Sequence, residues 1–477
     1  MKKTSLMLAL FSATAILRAA DSSVLYSSEA PSSAASHSIA ARGPLQLTMR
    51  RAVQIATSPE GSTRVQLQIE NLKQAKDRSR EVLAGLLPDI ETYVGVGSSV
   101  RSLSAAGLSN LSALNEINGL LASPFLKLAP INIPNRLGPF DTLDLRATGN
   151  MVLFDFSLLH RLKASRAIVR ATKDDVNTTD ESVTSQVAKA YLTALRADAQ
   201  VEATQADVDL SQAVLKQSEH SKEAGSGTGM DITRASVQLA NDKQRWLVAK
   251  NDQTKSHLQL LRAMNLRLDT PVNLLDKLDY KPLDTLSPED AISQALANRP
   301  DLKSQLEHED AAKLTAGAVK YERLPSIVAS ANYGTIGPPE VALLPTRDYY
   351  GQVRIPIFDG GRRDARRAEA FSQLRQESVR TADLRDQIEL DVRVSLDSLK
   401  SADEQVKVAD EGLKLADQEM AQARRRFGAG VAGSLEVSDA SDKLQRARTN
   451  QIQAVYNHSV ARIDLGQALG KTQSMID

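Results

Sequence analysis

The residues that most suggest chemistry form a glycine-rich loop, Gly225-Ser226-Gly227-Thr228-Gly229. Such loops can cradle phosphates with backbone N–H groups, but this one lacks the GxxxxGK[ST] pattern and follows no predicted strand. A helix–turn–helix break, with glycines in left-handed conformations, explains it better. The six histidines have no metal-site spacing, and no HExxH, GxSxG or Rossmann pattern occurs. The sequence therefore predicts no enzyme, no cofactor and no metal.

Composition narrows the class of protein further. The 477 residues include 59 Lys and Arg against 58 Asp and Glu, a net charge of +1, which gives no support for nucleic-acid binding. The absence of cysteine excludes disulfides, thiolate chemistry and cysteine lipidation. Aromatic residues make up 4% of a chain that is 42% hydrophobic, so Ala, Leu, Val and Ile dominate, as is typical of long packed helices.

The amino terminus has the layout of an export signal. Met1-Lys2-Lys3 is basic, an apolar stretch runs from Leu6 to Leu17, and Ala19-Ala20 precede the expected cleavage. We interpret residues 1–20 as a signal peptide and 21–43 as a flexible leader. An N-terminal membrane anchor is the alternative, although a spanning helix needs about 20 apolar residues.

The elements that would position any site occur twice along the chain. Phe154-Asp155 recurs as Phe358-Asp359 after 204 residues, and Gly225 recurs as Gly430 after 205. The first repeat covers 44–275 and the second 276–470, followed by a tail at 471–477. An insertion of residues 106–137 makes the first repeat longer.

Each repeat is predicted to contain two strands, a very long helix and a shorter return helix. A seven-residue period through Val187, Ala194 and Val201, matched by Val392, Leu399 and Val406, is a coiled-coil signal. In the first repeat the strands are predicted at about 88–105 and 138–156, the long helix at about 157–224 and the return helix at 230–267. In the second repeat the strands are predicted at about 325–336 and 347–358, the long helix at about 361–427 and the return helix at 435–470.

The four strand segments alternate between apolar and polar residues, which is the pattern of transmembrane β-strands. Aromatic residues border them, as in interfacial girdles, and we assign this role to Phe154, Phe156, Tyr349, Tyr350 and Phe358. The alternative is a half-buried sheet in a soluble protein. Because open sheet edges cannot face lipid, four membrane strands would require an oligomer that completes a barrel.

These features resemble the TolC-type outer-membrane factor (outer membrane efflux protein) family over about residues 45–470. The resemblance rests on the duplicated plan and on Leu47-Thr48 with Ala52, Pro88, Pro325, Pro356-Ile357-Phe358-Asp359-Gly360-Gly361 and Phe427…Gly430…Ser434…Glu436-Val437. It implies a mixed, mainly α fold in which antiparallel coiled-coil helices form an α-barrel. Four strands from each copy of a homotrimer would complete a twelve-stranded transmembrane β-barrel.

The same resemblance implies a function and a set of partners. The chain would be the exit duct of a tripartite efflux pump or a type I secretion system, in the outer membrane and extending into the periplasm. Its partners would be outer-membrane lipid, a periplasmic adaptor (membrane fusion protein) and an inner-membrane pump. The alternative is a periplasmic coiled-coil adaptor or a structural envelope protein.

The resemblance also implies site residues, which are those at the positions of this sequence that match the family's gate and turns. A periplasmic gate would use Phe427, Glu436 and Asp439, with Asp231 at the Glu436 position of the first repeat, and three copies of the carboxylates would form a cation-selective ring. Solvated acids at a helix start are the alternative. The family's gate-locking basic residue would fall at Ala432, so that lock is missing or rebuilt. The predicted adaptor contacts are the two turns, with Gly225, Gly227, Gly229, Gly428, Gly430 and Ser434.

The insertion departs from the family plan. Leu108, Leu111, Leu114, Ile117 and Leu120 recur every three residues, and Pro124, Pro130 and Pro134 follow. We expect a partly helical lid over the barrel mouth, with a loosely ordered surface loop as the alternative.

Overall fold

The computed structural model describes residues 44–102, 112–122, 136–225, 227–282, 286–338 and 342–476. The signal peptide, the leader and most of the insertion predicted from sequence lie outside the described residues. Two compact units are present, a small one that includes Leu45, Gln46 and Asp269–Asn273 and a large one that holds the long helices and the main sheet.

The described residues are mainly helical. The helices are Met49–Thr57 (α1), Thr63–Ala84 (α2), Ser112–Leu121 (α3), Phe156–Glu223 (α4), Gly229–Ala263 (α5), Pro288–Asn298 (α6), Pro300–Tyr321 (α7), Arg362–Gly428 (α8) and Ser434–Ala468 (α9), followed by a 3₁₀ turn at Thr472–Met475. Helix α3 lies within the insertion, which gives the part of the predicted lid that is described a helical conformation.

Six strands form two sheets within the described residues. The strands are Leu45–Leu47 (β1), Asp89–Ser102 (β2), Arg136–Phe154 (β3), Val272–Leu274 (β4), Ser326–Gly337 (β5) and Leu344–Arg354 (β6). Strand β1 pairs with β4, and the larger sheet has the order β2-β3-β5-β6 with antiparallel neighbours. Strands β2 and β6 are therefore the edges of the larger sheet.

Helix lengths repeat between the two halves. Helices α4 and α8 have 68 and 67 residues, α5 and α9 have 35 each, and α2 and α7 have 22 each. At 1.5 Å per residue, α4 and α8 are each about 100 Å long. The duplicated plan read from the sequence is thus present in the three-dimensional structure.

Burial along the long helices follows the seven-residue period. Val187 and Ala194 of α4 are buried, as are Val392, Leu399 and Val406 of α8. A cluster centred on Val392 and Leu399 packs against the carboxyl-terminal half of α9. Burying these side chains at roughly 25 cal/mol per Å² of apolar surface stabilises the helical hairpin. Helix propensity alone contributes much less in elements that pack along their whole length.

The larger sheet has one polar and one apolar face. Because Glu91, Thr148, Asn332 and Asp348 are cross-strand partners, they share the polar face. The residues that alternate with these along the strands point to the other face, which is apolar and includes Ile90, Val94, Leu145, Ala147, Ala329 and Val353. Ile90, Val94 and Val353 are exposed in the single chain. A sheet with this much exposed apolar surface requires an apolar environment or a partner.

Two strand ends differ from the predicted ranges. The final strand ends at Arg354 rather than continuing to residue 358, because Pro356 has no N–H to donate to a ladder. The second strand of the first repeat ends at Phe154, since the Asp155 carboxylate accepts hydrogen bonds from the Ser157 and Leu158 backbones at 2.8 and 3.2 Å and so starts α4.

Candidate gate and docking turns at the ends of the helical hairpins

The first turn joins α4 to α5 and is held by a reciprocal cap. Gly225 adopts a positive φ of 77°, which reverses the chain after α4. Thr228 Oγ1 then accepts a hydrogen bond from the Asp231 backbone at 3.3 Å, and the Asp231 carboxylate accepts one from the Thr228 backbone at 3.1 Å. This capping box satisfies two backbone donors at the start of α5.

The second turn joins α8 to α9 and is built differently. Gly430 has a φ of 72°, and the Val431 N–H donates to the Arg426 carbonyl at 3.0 Å. Gly433 occupies the position before α9 and offers no side-chain cap. The predicted left-handed glycines are thus Gly225 and Gly430, one in each turn.

A polar contact links the two hairpins at this end. Ser434 Oγ, whose side chain is 4% exposed, donates to Asp231 Oδ1, and Arg234 Nη1 donates to Ser434 Oγ at 3.4 Å. We refer to Asp231, Arg234 and Ser434 as the inter-hairpin contact. The hydrogen bond from Ser434, followed by those from Thr228, lowers the pKa of the Asp231 carboxyl because each stabilises its ionised form.

Further polar contacts between the hairpins lie deeper along the helices. Gln238 Nε2 of α5 donates to Asp442 Oδ1 of α9 at 3.2 Å. Arg448 Nη1 of α9 pairs with Asp207 Oδ1 of α4 at 2.9 Å, and Asp207 is 6% exposed. Burial raises the pKa of Asp207, and the nearby Arg448 opposes that rise.

Apolar packing supports the second turn. The end of the α8/α9 hairpin is held by a cluster of Ala416, Met420, Ala423, Val437, Ala440 and Leu444. Phe427 is half-buried against this cluster, as are Leu210 and Val214 from α4. Phe427 therefore contributes to hairpin packing, a role that the sequence did not predict for it.

The two carboxylates predicted to form a ring both have cationic partners within the chain. Glu436 Oε1 lies 3.2 Å from Arg426 Nη1, and Asp439 Oδ2 lies 2.8 Å from Lys443 Nζ. Lys443 also contacts Glu419 at 2.7 Å, and the bonds from Asp439 and Glu419 raise the pKa of its ammonium group. These side chains are largely exposed, and exposed pairs neutralise charge weakly.

The structure places the sequence-derived site residues in two groups. It brings Asp231 and Ser434 into contact, whereas Glu436 and Asp439 lie on the neighbouring part of α9 with their own partners. The sequence analysis did not predict the three cationic side chains at this end, which are Arg234, Arg426 and Lys443. Arg234 supplies a cation to this end of the hairpins from α5.

The bordering aromatics do not all lie at one surface. Phe154 and Tyr349 fall on the apolar face of the sheet, whereas Tyr350 pairs with Ser330 on the polar face. Phe156 is the first residue of α4, and its ring meets Phe154 edge-on at 4.6 Å. Phe358 lies beyond the last strand and is exposed. Phe154, Tyr349 and Tyr350 thus lie within strands, and Phe156 and Phe358 lie two and four residues beyond strand ends, while the interfacial role of all five stays a prediction.

Among the residues that the structure describes, no three or more His, Cys, Asp or Glu side chains are grouped so that they could hold a metal ion. No described helix combines the length and the apolar character needed to cross a membrane.

Comparison with known proteins gives a consistent result. The family model described as "Outer membrane efflux protein" matches residues 62–266 and 291–471. The chain is 25% identical over 311 residues to the pyoverdine export outer membrane protein OpmQ of Pseudomonas aeruginosa, an alignment that covers 63% of this chain and 64% of that relative. The aligned region is therefore less than two thirds of the relative's length.

Solved structures share the fold. The Campylobacter jejuni CmeC outer membrane channel is 16% identical with a TM-score of 0.74, covering 89% of this chain and 86% of that one. The open state of the Neisseria gonorrhoeae MtrE outer membrane channel is 16% identical with a TM-score of 0.71, covering 89% of each chain. These likenesses confirm the predicted fold class.

Proposed function

Since this chain belongs to the outer membrane efflux protein family, we propose that it is the outer-membrane exit duct of a tripartite efflux pump. It would carry small molecules from the periplasm or an inner-membrane pump to the exterior. Pyoverdine export and channel activity are named for its relatives, and both agree with a conducting rather than a catalytic role.

The observation that carries this proposal is the two-faced sheet with open edges. Strands β2 and β6 have no neighbour on their outer side in the described chain, and the apolar face exposes Val94 and Val353. In lipid every backbone group at a sheet edge must be paired, so another copy has to supply the missing strand. Three copies would close twelve strands, with apolar faces toward lipid and polar faces around a lumen.

The helical hairpins would continue this lumen into the periplasm and dock with an adaptor. At the turns, Met230, Val431 and Leu435 are exposed, although they are large and apolar. Apolar side chains at a helix end suit insertion between the helices of a coiled-coil partner. A periplasmic adaptor with such a hairpin is the partner we propose for both turns.

The gate would lie at the same end. The inter-hairpin contact would hold each copy closed, and Glu436 and Asp439 from three copies would make the entrance negative. Their exposed partners Arg426 and Lys443 would weaken this field without removing it.

Adjacent residues of β3 offer a matched test of the membrane placement. Ala147 lies on the apolar face and Thr148 on the polar face. Ala147→Arg should abolish heat-modifiable trimers in outer-membrane extracts, because a lipid-facing arginine costs about 2–4 kcal/mol per copy at mid-bilayer. Thr148→Arg should leave trimers and their single-channel conductance in planar bilayers measurable. Equal tolerance of both variants, or a wild-type chain without conductance, would refute the duct.

A further inference from the structure

Four arginines gather where the sheet meets the long helices. Arg161, Arg354, Arg363 and Arg366 line a cavity of about 290 Å³, which we refer to as the arginine cleft. Arg354 ends strand β6, Arg161 lies in the second turn of α4, and the other two lie at the start of α8. Arg161 and Arg366 are separated by the 205-residue offset, so the two repeats contribute equivalent residues.

The carboxylates of the cleft are already engaged. Glu322 accepts from Arg161 and lies 2.9 Å from Arg366 Nη2, while Asp155 caps the start of α4. Asp359, outside the cleft, pairs with Arg363 at 3.2 Å. The cleft lining therefore holds four guanidinium groups against two carboxylates, and Asp359 adds a third carboxylate beside Arg363.

Donor groups in the cleft remain without acceptors. Arg366 Nε and Glu322 Oε2 are both buried without a hydrogen-bond partner, and no side chain of the described residues pairs with Arg354. A buried donor without an acceptor costs about 1–3 kcal/mol. Guanidinium groups recognise carboxylate and phosphate oxygens in a forked geometry. The excess of guanidinium groups over carboxylates and the unpaired Arg354 thus favour an anion.

The cleft opens on the polar side of the sheet. Arg354 is the cross-strand partner of Ser326, and both continue the row that contains Gln352 and Val328 on the polar face. Ser326 also lines the cleft, whereas Phe154 on the apolar face does not. In the duct proposed above, this side faces the lumen. Farther along the same face lie Glu91, Asp348 and the ion pair of Asp144 with Arg146, so the cleft carries the larger positive excess on this face.

We propose that the arginine cleft binds anionic groups of transported molecules, carboxylate or phosphate in chemistry, at the junction of the helical and sheet portions of the lumen. This inference rests on the proposed duct function. If it holds, the transported molecules carry an acidic group, and the arginine cleft is a site in the lumen where that group binds transiently. Glu322 competes with that group for Arg161 and Arg366 and thereby limits how tightly it is held.

Citrate block of single-channel current tests the cleft. Citrate added to one side of a planar bilayer should reduce the current through wild-type trimers. Arg354→Gln should raise the half-blocking concentration about tenfold, as expected for loss of one charge-assisted hydrogen bond. Glu322→Gln should lower it, because both paired arginines are released. Arg385→Gln is the matched control, since Arg385 is an exposed arginine about five turns farther along α8.

Each outcome has a defined meaning. Opposite shifts for Arg354→Gln and Glu322→Gln, with Arg385→Gln unchanged, would support the cleft, and a purely structural role would not produce opposite signs. Conducting wild-type channels without citrate block, or an equal shift in Arg385→Gln, would overturn the anion site while leaving the duct intact. Absence of conducting trimers would refute the duct itself. Heat-modifiable migration of each variant confirms its assembly before the current is recorded.

Discussion

Replacing Ser434 with alanine isolates the inter-hairpin contact from other effects. The Ser434 hydroxyl joins the two hairpins through Asp231 and Arg234, yet it caps no helix, because the position before α9 is Gly433. Alanine is also the best helix former, so Ser434→Ala should not disturb α9 itself. Asp231→Ala would be a poorer choice, since it would also remove the capping box of α5.

The expected magnitude follows from the hydrogen bonds that are lost. The bond from Ser434 to the ionised Asp231 is part-buried and charge-assisted, and hydrogen bonds to charged groups contribute about 1.5–3 kcal/mol. The bond from Arg234 at 3.4 Å is long and adds little. If the contact holds the closed state, its loss should shift the closed-to-open equilibrium of each copy by about tenfold to a hundredfold.

Single-channel recording in planar bilayers measures this shift as open probability and conductance. Ser438→Ala is the matched control, because Ser438 lies one turn farther along α9 and makes no hydrogen bond across the hairpins. Ser434→Ala channels should be open more often than wild type, with Ser438→Ala unchanged. If Ser434→Ala gave the wild-type open probability, the inter-hairpin contact would not be a gate.

Two further predictions concern charge. Neutralising the ring in Glu436→Gln/Asp439→Asn should lower the ratio of cation to anion permeability, measured as the reversal potential in a salt gradient, and an unchanged potential would contradict the ring. His458 is buried beside Asp403, Tyr280 and Arg462, and burial lowers its pKa from 6.5. Unfolded chains then take up the proton first, so the melting temperature of the trimer should fall as pH drops below about 6.5. His458→Gln should have a flatter profile, and equal slopes would exclude His458 as the cause.

The long helices were predictable because their packing is encoded locally. A seven-residue stripe specifies a helix and its buried side, and Val392, Leu399 and Val406 are buried accordingly. The second copy of the pattern, 205 residues later, reinforced the prediction. The ends of β3 and β6 were predicted two and four residues too late, although Asp155 as a helix cap and Pro356 without an N–H mark where they stop.

The polar contacts were not predictable to the same extent. Asp231 and Ser434 are 203 residues apart, and they meet only because the two hairpins lie side by side. The convergence of Arg161 and Arg366 on Glu322 likewise depends on how the repeats pack. Local alternation does separate Tyr349 from Tyr350, since adjacent residues of a strand point to opposite faces.

The unequal ends of the two hairpins have a consequence for motion. The start of α5 is closed by its capping box, whereas α9 begins after Gly433 with no side-chain cap. An uncapped helix end frays more readily, so backbone amides in the first turn of α9 should exchange hydrogen faster than those of α5. Around a threefold axis the α4/α5 hairpins, with their capped turns, would alternate with the α8/α9 hairpins, whose turns lack a side-chain cap. The entrance would then widen by outward movement of the α8/α9 hairpins, while the α4/α5 hairpins stay in place.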